Sequence, residues 1–189
     1  MTNSFKFIRP VLILIVLAGL FSASCKKVNY HQLTDADMTW LVYKNNQIDQ
    51  FTNTTTLTTA RYLVTIRTKS YEDKGDVANE FTTASFRYLE DTTAINYKDS
   101  EGLLYIYKTD TDGLLVTFSW PHFPIQGFPL SNMLPTTGTI DGVNYLDLYI
   151  LDGTTFANAR YYIRKVWYSK SVGVIQYEDI NGDVWVKNI

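Results

Sequence analysis

The sequence predicts an all-β protein: a single antiparallel meander domain of about nine or ten strands that forms a curved half-barrel or a sandwich. Short runs rich in Val, Ile, Thr, Tyr and Phe recur along the chain, which is typical of strands. Pairs of turn-forming residues separate many of these runs. No amphipathic pattern of about twelve residues or more predicts a helix, so the sequence lacks the crossover helices that a parallel sheet requires.

The strand-like runs begin at residue 39 and continue to the end of the chain. Residues 61–68 alternate most clearly, because Tyr62, Val64 and Ile66 fall on one side and the residues between them on the other. One face of this strand is therefore expected to lie on the core. The predicted strands are 39–43, 61–68, 80–89, 102–107, 114–120, 145–151, 160–168, 173–177 and 184–187.

Four pairs of Asp-Gly or Asn-Gly type mark turns between the runs. Such pairs are favoured where the backbone must adopt a positive φ angle. Closely flanking extended runs indicate that the turns at 110–113 and at Asn181-Gly182 close hairpins. The pairs are Asp112-Gly113, Asp141-Gly142, Asp152-Gly153 and Asn181-Gly182.

Residues 119–135 interrupt the strand pattern. This stretch holds four of the five prolines of the chain, and proline cannot sit in a central strand. It also contains Trp120, Phe123 and Phe128, large apolar side chains that are expected to be buried. Two interpretations are open: the stretch folds over one end of the sheet as a core plug, or it is a flap over a ligand cavity.

The start of the chain has the three parts of a secretory signal peptide. Lys6 and Arg9 provide positive charge, residues 11–21 are apolar, and three small residues precede Cys25. A helix of that length rises only about 16 Å, whereas the bilayer core is about 30 Å thick, so a transmembrane anchor is the less favoured alternative. The predicted organisation is a signal peptide at 1–24, a lipidated N-terminus and polar tether at 25–38, and a β domain at 39–189.

The stretch 21–25 (FSASC) resembles the lipobox of bacterial lipoproteins, in which the cysteine thiol is acylated before cleavage. Ser22 stands where Leu is usual, a looser form that is common among lipoproteins of the Bacteroidota. The resemblance implies that Cys25 carries the lipid, palmitate included, and anchors the protein to a membrane. Lys26-Lys27 provides neither an acidic surface-export run nor a retention Asp, which implies the outer membrane, facing the periplasm.

The C-terminal stretch 166–186 resembles the closing hairpin of small Bacteroidota outer-membrane lipoproteins of uncharacterised function. Their pattern is Tyr-x-Lys-x-Val-Gly-x-Ile/Val-x-Tyr before a turn and a last strand. The resemblance implies an antiparallel β fold and brings no activity with it. The matching positions are Tyr168, Lys170, Val172, Gly173, Ile175 and Tyr177.

A tripeptide between two predicted strands, Asp91-Thr92-Thr93, resembles the motif at which exported Bacteroidota proteins carry O-linked glycans. Its setting between strand runs is turn-like, as an accessible acceptor requires. The resemblance therefore makes Thr92 a candidate glycosylation site.

Few side chains offer catalytic or metal-binding chemistry. His31 lies in the predicted tether, and His122 lies in the proline-rich stretch without a G-x-S-x-G elbow. A zinc site would have to combine His122 with carboxylates alone, and the acidic turns do not fit a calcium loop. Cys25 is the only cysteine, which excludes an internal disulfide. We predict no enzymatic activity, no cofactor and no metal.

The charge pattern restricts the classes of partner that the protein is expected to bind. Residues 1–24 carry two of the 17 basic residues and none of the 19 acidic ones, so the remaining chain is acidic. Without a basic patch, nucleic acid is an unsuitable partner. The first hypothesis is a lipid-anchored envelope domain that binds or scaffolds an envelope protein or glycan. The alternatives are a carrier of a lipid or other apolar ligand in an aromatic-lined cavity and, less favoured, a glycan-acting hydrolase.

Overall fold

A computed structural model describes residues 29–73, 77–89, 101–109, 111, 113–124, 127–154 and 162–189. The predicted signal peptide, Cys25 and Thr92 lie outside these residues. Within the described ranges, no helix is long and apolar enough to cross a membrane.

The described residues form twelve strands, one short α-helix and one 3-10 turn. The helix, α1, is Asp35–Met38, and the 3-10 turn is Leu130–Asn132. The strands are β1 (Asn29–His31), β2 (Gln47–Asn53), β3 (Thr59–Asp73), β4 (Val77–Tyr88), β5 (Glu101–Lys108), β6 (Leu114–Ser119), β7 (Phe128–Pro129), β8 (Thr136–Ile140), β9 (Val143–Asp152), β10 (Ile163–Ser169), β11 (Gly173–Asp179) and β12 (Val184–Lys187).

All twelve strands belong to one sheet, in the order β7-β6-β5-β4-β3-β2-β12-β11-β10-β9-β8 with β1 beside β4. Neighbours in that order are antiparallel, and β1 pairs in parallel with the start of β4. Because β2 pairs with β12, the two outermost strands are β7 and β8, which follow each other in the chain. The sheet curls into a half-barrel, which confirms the predicted antiparallel all-β fold.

Residues 39–43 do not form a strand, so that part of the prediction is wrong. The run is apolar because two of its side chains enter the barrel, not because its backbone joins the sheet. Trp40 and Tyr43 are both buried. The Tyr168 hydroxyl donates to the Trp40 carbonyl at 3.0 Å, and the Tyr43 hydroxyl accepts from the Val174 amide at 2.8 Å.

Strands β1, β2, β7 and β8 escaped prediction. β1 and β7 are only three and two residues long. In β2 the inward positions include Asp49 and Asn53, so the polar side chains that the strand buries hide the usual alternation. The alternation predicted for β3 is correct, since Tyr62 and Val64 are buried in the core and Ile66 packs against it.

Two of the four predicted turn pairs have a glycine with the expected positive φ angle, whereas Gly113 and Gly153 do not. Asp141 and Gly142 have φ angles of 48° and 75° and join β8 to β9, as expected for a tight hairpin. Gly182 has a φ of 85° between the paired strands β11 and β12. β5 and β6 also form an antiparallel pair, although Asp110 and Asp112 lie outside the described residues.

The helix end of the half-barrel is the end at which α1 and residues 39–44 lie. Part of the predicted tether therefore packs on the domain. Thr34 and Asp37 form a capping box at the start of α1, and the Asp37 carboxylate also pairs with Lys108 of β5 at 3.2 Å. These contacts hold the segment that inserts Trp40 and Tyr43 into the interior.

The proline end is the opposite end, where residues 120–124 leave β6. The Ile163 amide donates to the His122 carbonyl at 3.2 Å, which ties this turn to β10. A Cβ at Gly153, the residue after β9, would lie 2.6 Å from Pro124 Cγ. Residues 120–124 thus contact the far side of the half-barrel, and residues 130–135 connect the two outermost strands.

A second, smaller apolar cluster lies on the opposite face of the sheet from the interior core. Trp167 and Val186 contribute to it, and Trp167 alternates with residues that face inward. A register shift between Thr136 and Gly138 bends the β8–β9 hairpin. The buried members of this cluster are Ile140, Tyr145, Leu148 and Ile175.

Candidate ligand pocket at the proline end

A pocket of about 270 Å³ opens at the proline end of the half-barrel. Six of its lining side chains are aromatic or imidazole rings, and one is a carboxylate. Strands β3, β4, β11 and β12 supply four of the rings, and the proline-rich turn and the residue before β10 supply the other two. The lining residues are Ala60, Tyr62, Tyr88, His122, Tyr162, Ile163, Tyr177, Asp179 and Trp185.

The sheet places the rings by alternation and register. Ala60 and Tyr62 are two apart on β3 and share one face. Tyr62 lies directly opposite Tyr88 of β4, and Tyr177 of β11 lies opposite Trp185 of β12. The curl of the sheet then brings residues of both strand pairs to one opening.

Several of the rings stand nearly at right angles to one another. The His122 ring is at 85° to Tyr88 and at 89° to Tyr162, with centroid distances of 6.4 Å and 5.8 Å. Tyr62 and Tyr177 are at 85° and 6.1 Å. Tyr62 and Tyr88 are tilted at 42°, and Tyr177 and Trp185 are nearly parallel at 12°, so the lining combines perpendicular and parallel rings.

Asp179 is the carboxylate of the pocket. It accepts hydrogen bonds from the backbone amides of Asn181 at 2.8 Å and Asp183 at 3.1 Å, and from Trp185 Nε1 at 3.2 Å. These donors belong to the β11–β12 turn and the strand that follows it, and the turn contains the Asn-Gly pair seen in the sequence. The hairpin therefore fixes a negative charge beside the Trp185 ring.

Tyr177 provides a neutral wall. Burial raises the pKa of its phenol far above the usual value, and the neighbouring Tyr62 raises it further through its hydroxyl. Tyr177 consequently stays protonated across the physiological range. Its ring lies parallel to Trp185, at 12° and 5.7 Å between centroids.

The backbone of His122 has a left-handed conformation, with φ at 60°. Residues other than glycine adopt this conformation at an energetic cost, and such strain is often found at functional sites. In this turn the left-handed conformation places the imidazole between Tyr88 and Tyr162. Trp120, two residues before His122, and Phe123, directly after it, are buried in the core.

The interior next to the pocket is filled by side chains. Trp120 is only 2% exposed and packs against Tyr62 at 4.6 Å and Phe86 at 5.1 Å. Phe118 and Tyr168 are fully buried beyond it. The pocket is therefore a shallow recess that Tyr62 lines and Trp120 backs, not the entrance to a large apolar cavity.

A second depression, of about 680 Å³, lies along the smaller apolar cluster. Leu57, Val143 and Ile189 line it and are strongly exposed. It also contains polar residues of β2 and the C-terminus. Its mixed, open lining offers no convergent set of polar groups comparable to the first pocket.

The candidate residues named from the sequence fall into different places. Trp120 and Phe123 are buried in the interior core, and Phe128 is half-buried against it. His122, considered only as a catalytic or zinc-binding group, lines the pocket. His31 lies on β1, opposite Asn79 of β4.

Sequence reasoning did not find the pocket itself. The sequence predicts Tyr62 and Trp185 only as strand residues and Tyr177 as a strand residue of the C-terminal resemblance. Tyr162 belongs to a predicted strand run and Asp179 to an acidic turn. The available signal was the high share of Tyr, 14 residues in 189, together with the turn pair after β11. Neither indicates which rings meet, because the meeting depends on the curl of the sheet.

The described residues contain no group of three or more His, Cys, Asp or Glu side chains arranged to hold a metal ion. Comparison with protein-family models, with curated proteins and with solved structures found no match for this chain.

Proposed function

We propose that this protein is a lipid-anchored binding module of the bacterial cell envelope, without enzymatic activity, that uses the pocket at the proline end to hold a small chemical group of its partner. The observation that carries the proposal is the convergence of six rings and one fixed carboxylate on one opening. Mostly apolar walls with a few placed polar groups are typical of ligand sites.

The size of the pocket favours a binding module over a carrier. Pockets that enclose drug-sized ligands measure about 300–1,000 Å³, and this one measures about 270 Å³ and is open to solvent. Trp120 fills the space into which an acyl chain would have to extend. A headgroup, a single ring or a side chain of a partner fits this volume better than a whole lipid.

The anchor in this proposal comes from the lipobox-like stretch that ends at Cys25. We expect Cys25→Ser to prevent acylation and to release the protein into the soluble envelope fraction, because the acyl chains on Cys25 are the proposed anchor. Fractionation followed by an alkaline wash measures this. Retention of the Ser variant in the washed membranes would contradict the lipoprotein assignment.

Binding at the pocket is tested by removing one exposed ring. Tyr162 is 46% exposed, so Tyr162→Ala removes a pocket wall with little loss of core contacts. A screen of small fragments by ligand-observed NMR should show binders that the variant loses. Tyr71→Ala is the matched control, since Tyr71 is 47% exposed and also packs edge-on against one ring, that of Tyr30.

The proposal fails if no fragment distinguishes the wild type from Tyr162→Ala, or if Tyr71→Ala loses the same binders. If the binding test succeeds, mass spectrometry of molecules that co-purify with the native lipidated protein identifies the natural partner.

A further inference from the structure

We infer that the pocket at the proline end binds a quaternary ammonium group, such as the trimethylammonium head of choline; this inference rests on the proposed binding function. Three features of the described residues support it: the mutual angles of the rings, the fixed carboxylate, and the lack of Lys and Arg among the lining residues.

The ring geometry suits a rounded cation. A cation is attracted to the faces of aromatic rings, and several faces around one point add their attractions. The His122 ring stands at 85° to Tyr88 and at 89° to Tyr162, and all three rings line the pocket, so a ligand meets rings of different orientation.

The charge of the pocket also suits a cation. Asp179 is held in place by three N–H donors, so its negative charge does not depend on the ligand for orientation. A trimethylammonium group has no N–H and needs no acceptor. It therefore gains from a nearby carboxylate through charge alone, which a carboxylate that already accepts three hydrogen bonds still provides.

The basic residues that are adjacent in the chain to lining residues do not line the pocket. One of them, Arg164, donates from Nη1 to the Ile180 carbonyl at 3.4 Å. Among the described residues that line the pocket, none is Lys or Arg. Arg61 and Arg87 precede the lining residues Tyr62 and Tyr88, are exposed, and lie on the opposite face of the sheet. The ligand thus meets one fixed negative charge and neutral phenols, of which Tyr177 cannot ionise at physiological pH.

Titration of the full lipidated chain with choline, in a non-ionic polyoxyethylene detergent, tests the inference. The neutral control is 3,3-dimethyl-1-butanol, which has the shape of choline with carbon in place of nitrogen. We expect choline to bind and the neutral isostere to bind at least about tenfold more weakly, because only the cation gains from the ring faces and Asp179.

Variants locate the binding. Tyr162→Ala should weaken choline binding about fivefold, and Tyr162→Phe, which keeps the ring, should restore most of that loss. Tyr71→Ala, which changes a residue outside the pocket lining, should leave choline binding unchanged. Circular dichroism and melting temperature confirm that each variant is folded. Glycerophosphocholine distinguishes the source: tighter binding than choline indicates a lipid headgroup, and weaker binding indicates a free quaternary amine.

The inference is overturned if choline does not bind, or if the neutral isostere binds equally well. Glucose is included as a separate ligand. If glucose binds instead of choline and Tyr162→Ala loses it, the cation assignment is wrong while the proposed binding function stands.

Discussion

At the scale of single residues, the contact between Gly173 and Tyr43 shows how a motif glycine serves the fold. Gly173 has a φ of 88°, which side-chain-bearing residues rarely adopt. A Cβ at this position would overlap the phenol ring of Tyr43. The Tyr43 hydroxyl accepts a hydrogen bond from the next residue, Val174, in a buried site. The glycine therefore allows the N-terminal segment to approach β11 closely.

We expect Gly173→Ala to destabilise the protein by about 3 kcal/mol, from backbone strain and from overlap with Tyr43. Tyr43→Phe should cost about 1–3 kcal/mol, because it leaves the Val174 amide without its acceptor. The sum of the two single-variant losses in stability should exceed the loss in the double variant, because removal of the Tyr43 hydroxyl relieves part of the overlap. Urea denaturation measures all three, and full additivity would contradict the close approach.

At the scale of elements, α1 depends on a carboxylate. Burial alone would raise the pKa of Asp37, but hydrogen bonds from Thr34 and Lys108, together with the charge of Lys108, outweigh burial and lower it below the usual value. The short helix is thereby linked both to its own N-terminus and to β5.

This lowered pKa makes the stability of the protein depend on pH in one direction. The contribution of Asp37 is fully present above the pKa of the unfolded chain, about 3.9, and is lost as the pH falls through the lower pKa of the folded protein. Wild type should therefore be more stable than Asp37→Asn at pH 6, and the difference should shrink steadily below about pH 4. Denaturation midpoints measured from neutral pH down into the acid range test this, and a pH-independent difference would contradict it.

The proline-rich segment is the second element with a distinct role, because its described residues contact the core at several points. Leu130 is fully buried, and Phe123 is 4% exposed and pairs with the half-buried Phe128 at 6.1 Å. Val116 of β6 donates its amide to Ser131 Oγ at 3.1 Å. These contacts are those expected of a plug.

If the segment is a plug, Phe123→Ala should cost about 3–5 kcal/mol, and Phe128→Ala about half as much because Phe128 is half-buried. Leu134→Ala is the control within the same segment, since Leu134 is 92% exposed and its loss should change stability by less than about 0.5 kcal/mol. Small losses for both Phe variants, together with weaker binding of an apolar dye, would favour the flap interpretation.

At the scale of the whole molecule, β2, the second strand of the described chain, pairs with β12, the last strand. Asp49 of β2 and Lys187 of β12 form an ion pair at 2.9 Å, with side chains 2% and 9% exposed. Lys187 Nζ also donates to the Val172 carbonyl at 3.3 Å. This buried ion pair therefore connects β2 and β12, which are neighbours in the sheet but far apart in the sequence.

We expect Lys187→Met to destabilise the protein by about 3–5 kcal/mol, because it leaves a carboxylate buried without its counter-charge. The double variant Asp49→Leu/Lys187→Met should recover most of this loss. Lys165→Met is the control, because its ion pair with Asp152 is more exposed and should contribute less than about 1 kcal/mol. Chemical denaturation measures the free energy of unfolding of the three variants. Equal losses for Lys187→Met and Lys165→Met would contradict a special contribution of the buried Asp49–Lys187 pair.

The sequence by itself determined the fold class, eight of the predicted strand positions and the irregular proline-rich connection, because strand periodicity, turn pairs and proline act within a few residues. Tertiary structure decided the rest. Residues 39–43 became an interior segment and β2 became a strand, since burial inside a curled sheet outweighs local propensity for both. The pocket likewise combines rings from positions 62, 88, 122, 162, 177 and 185. Those positions meet only because β12 pairs with β2, a contact between the ends of the domain that no local pattern encodes.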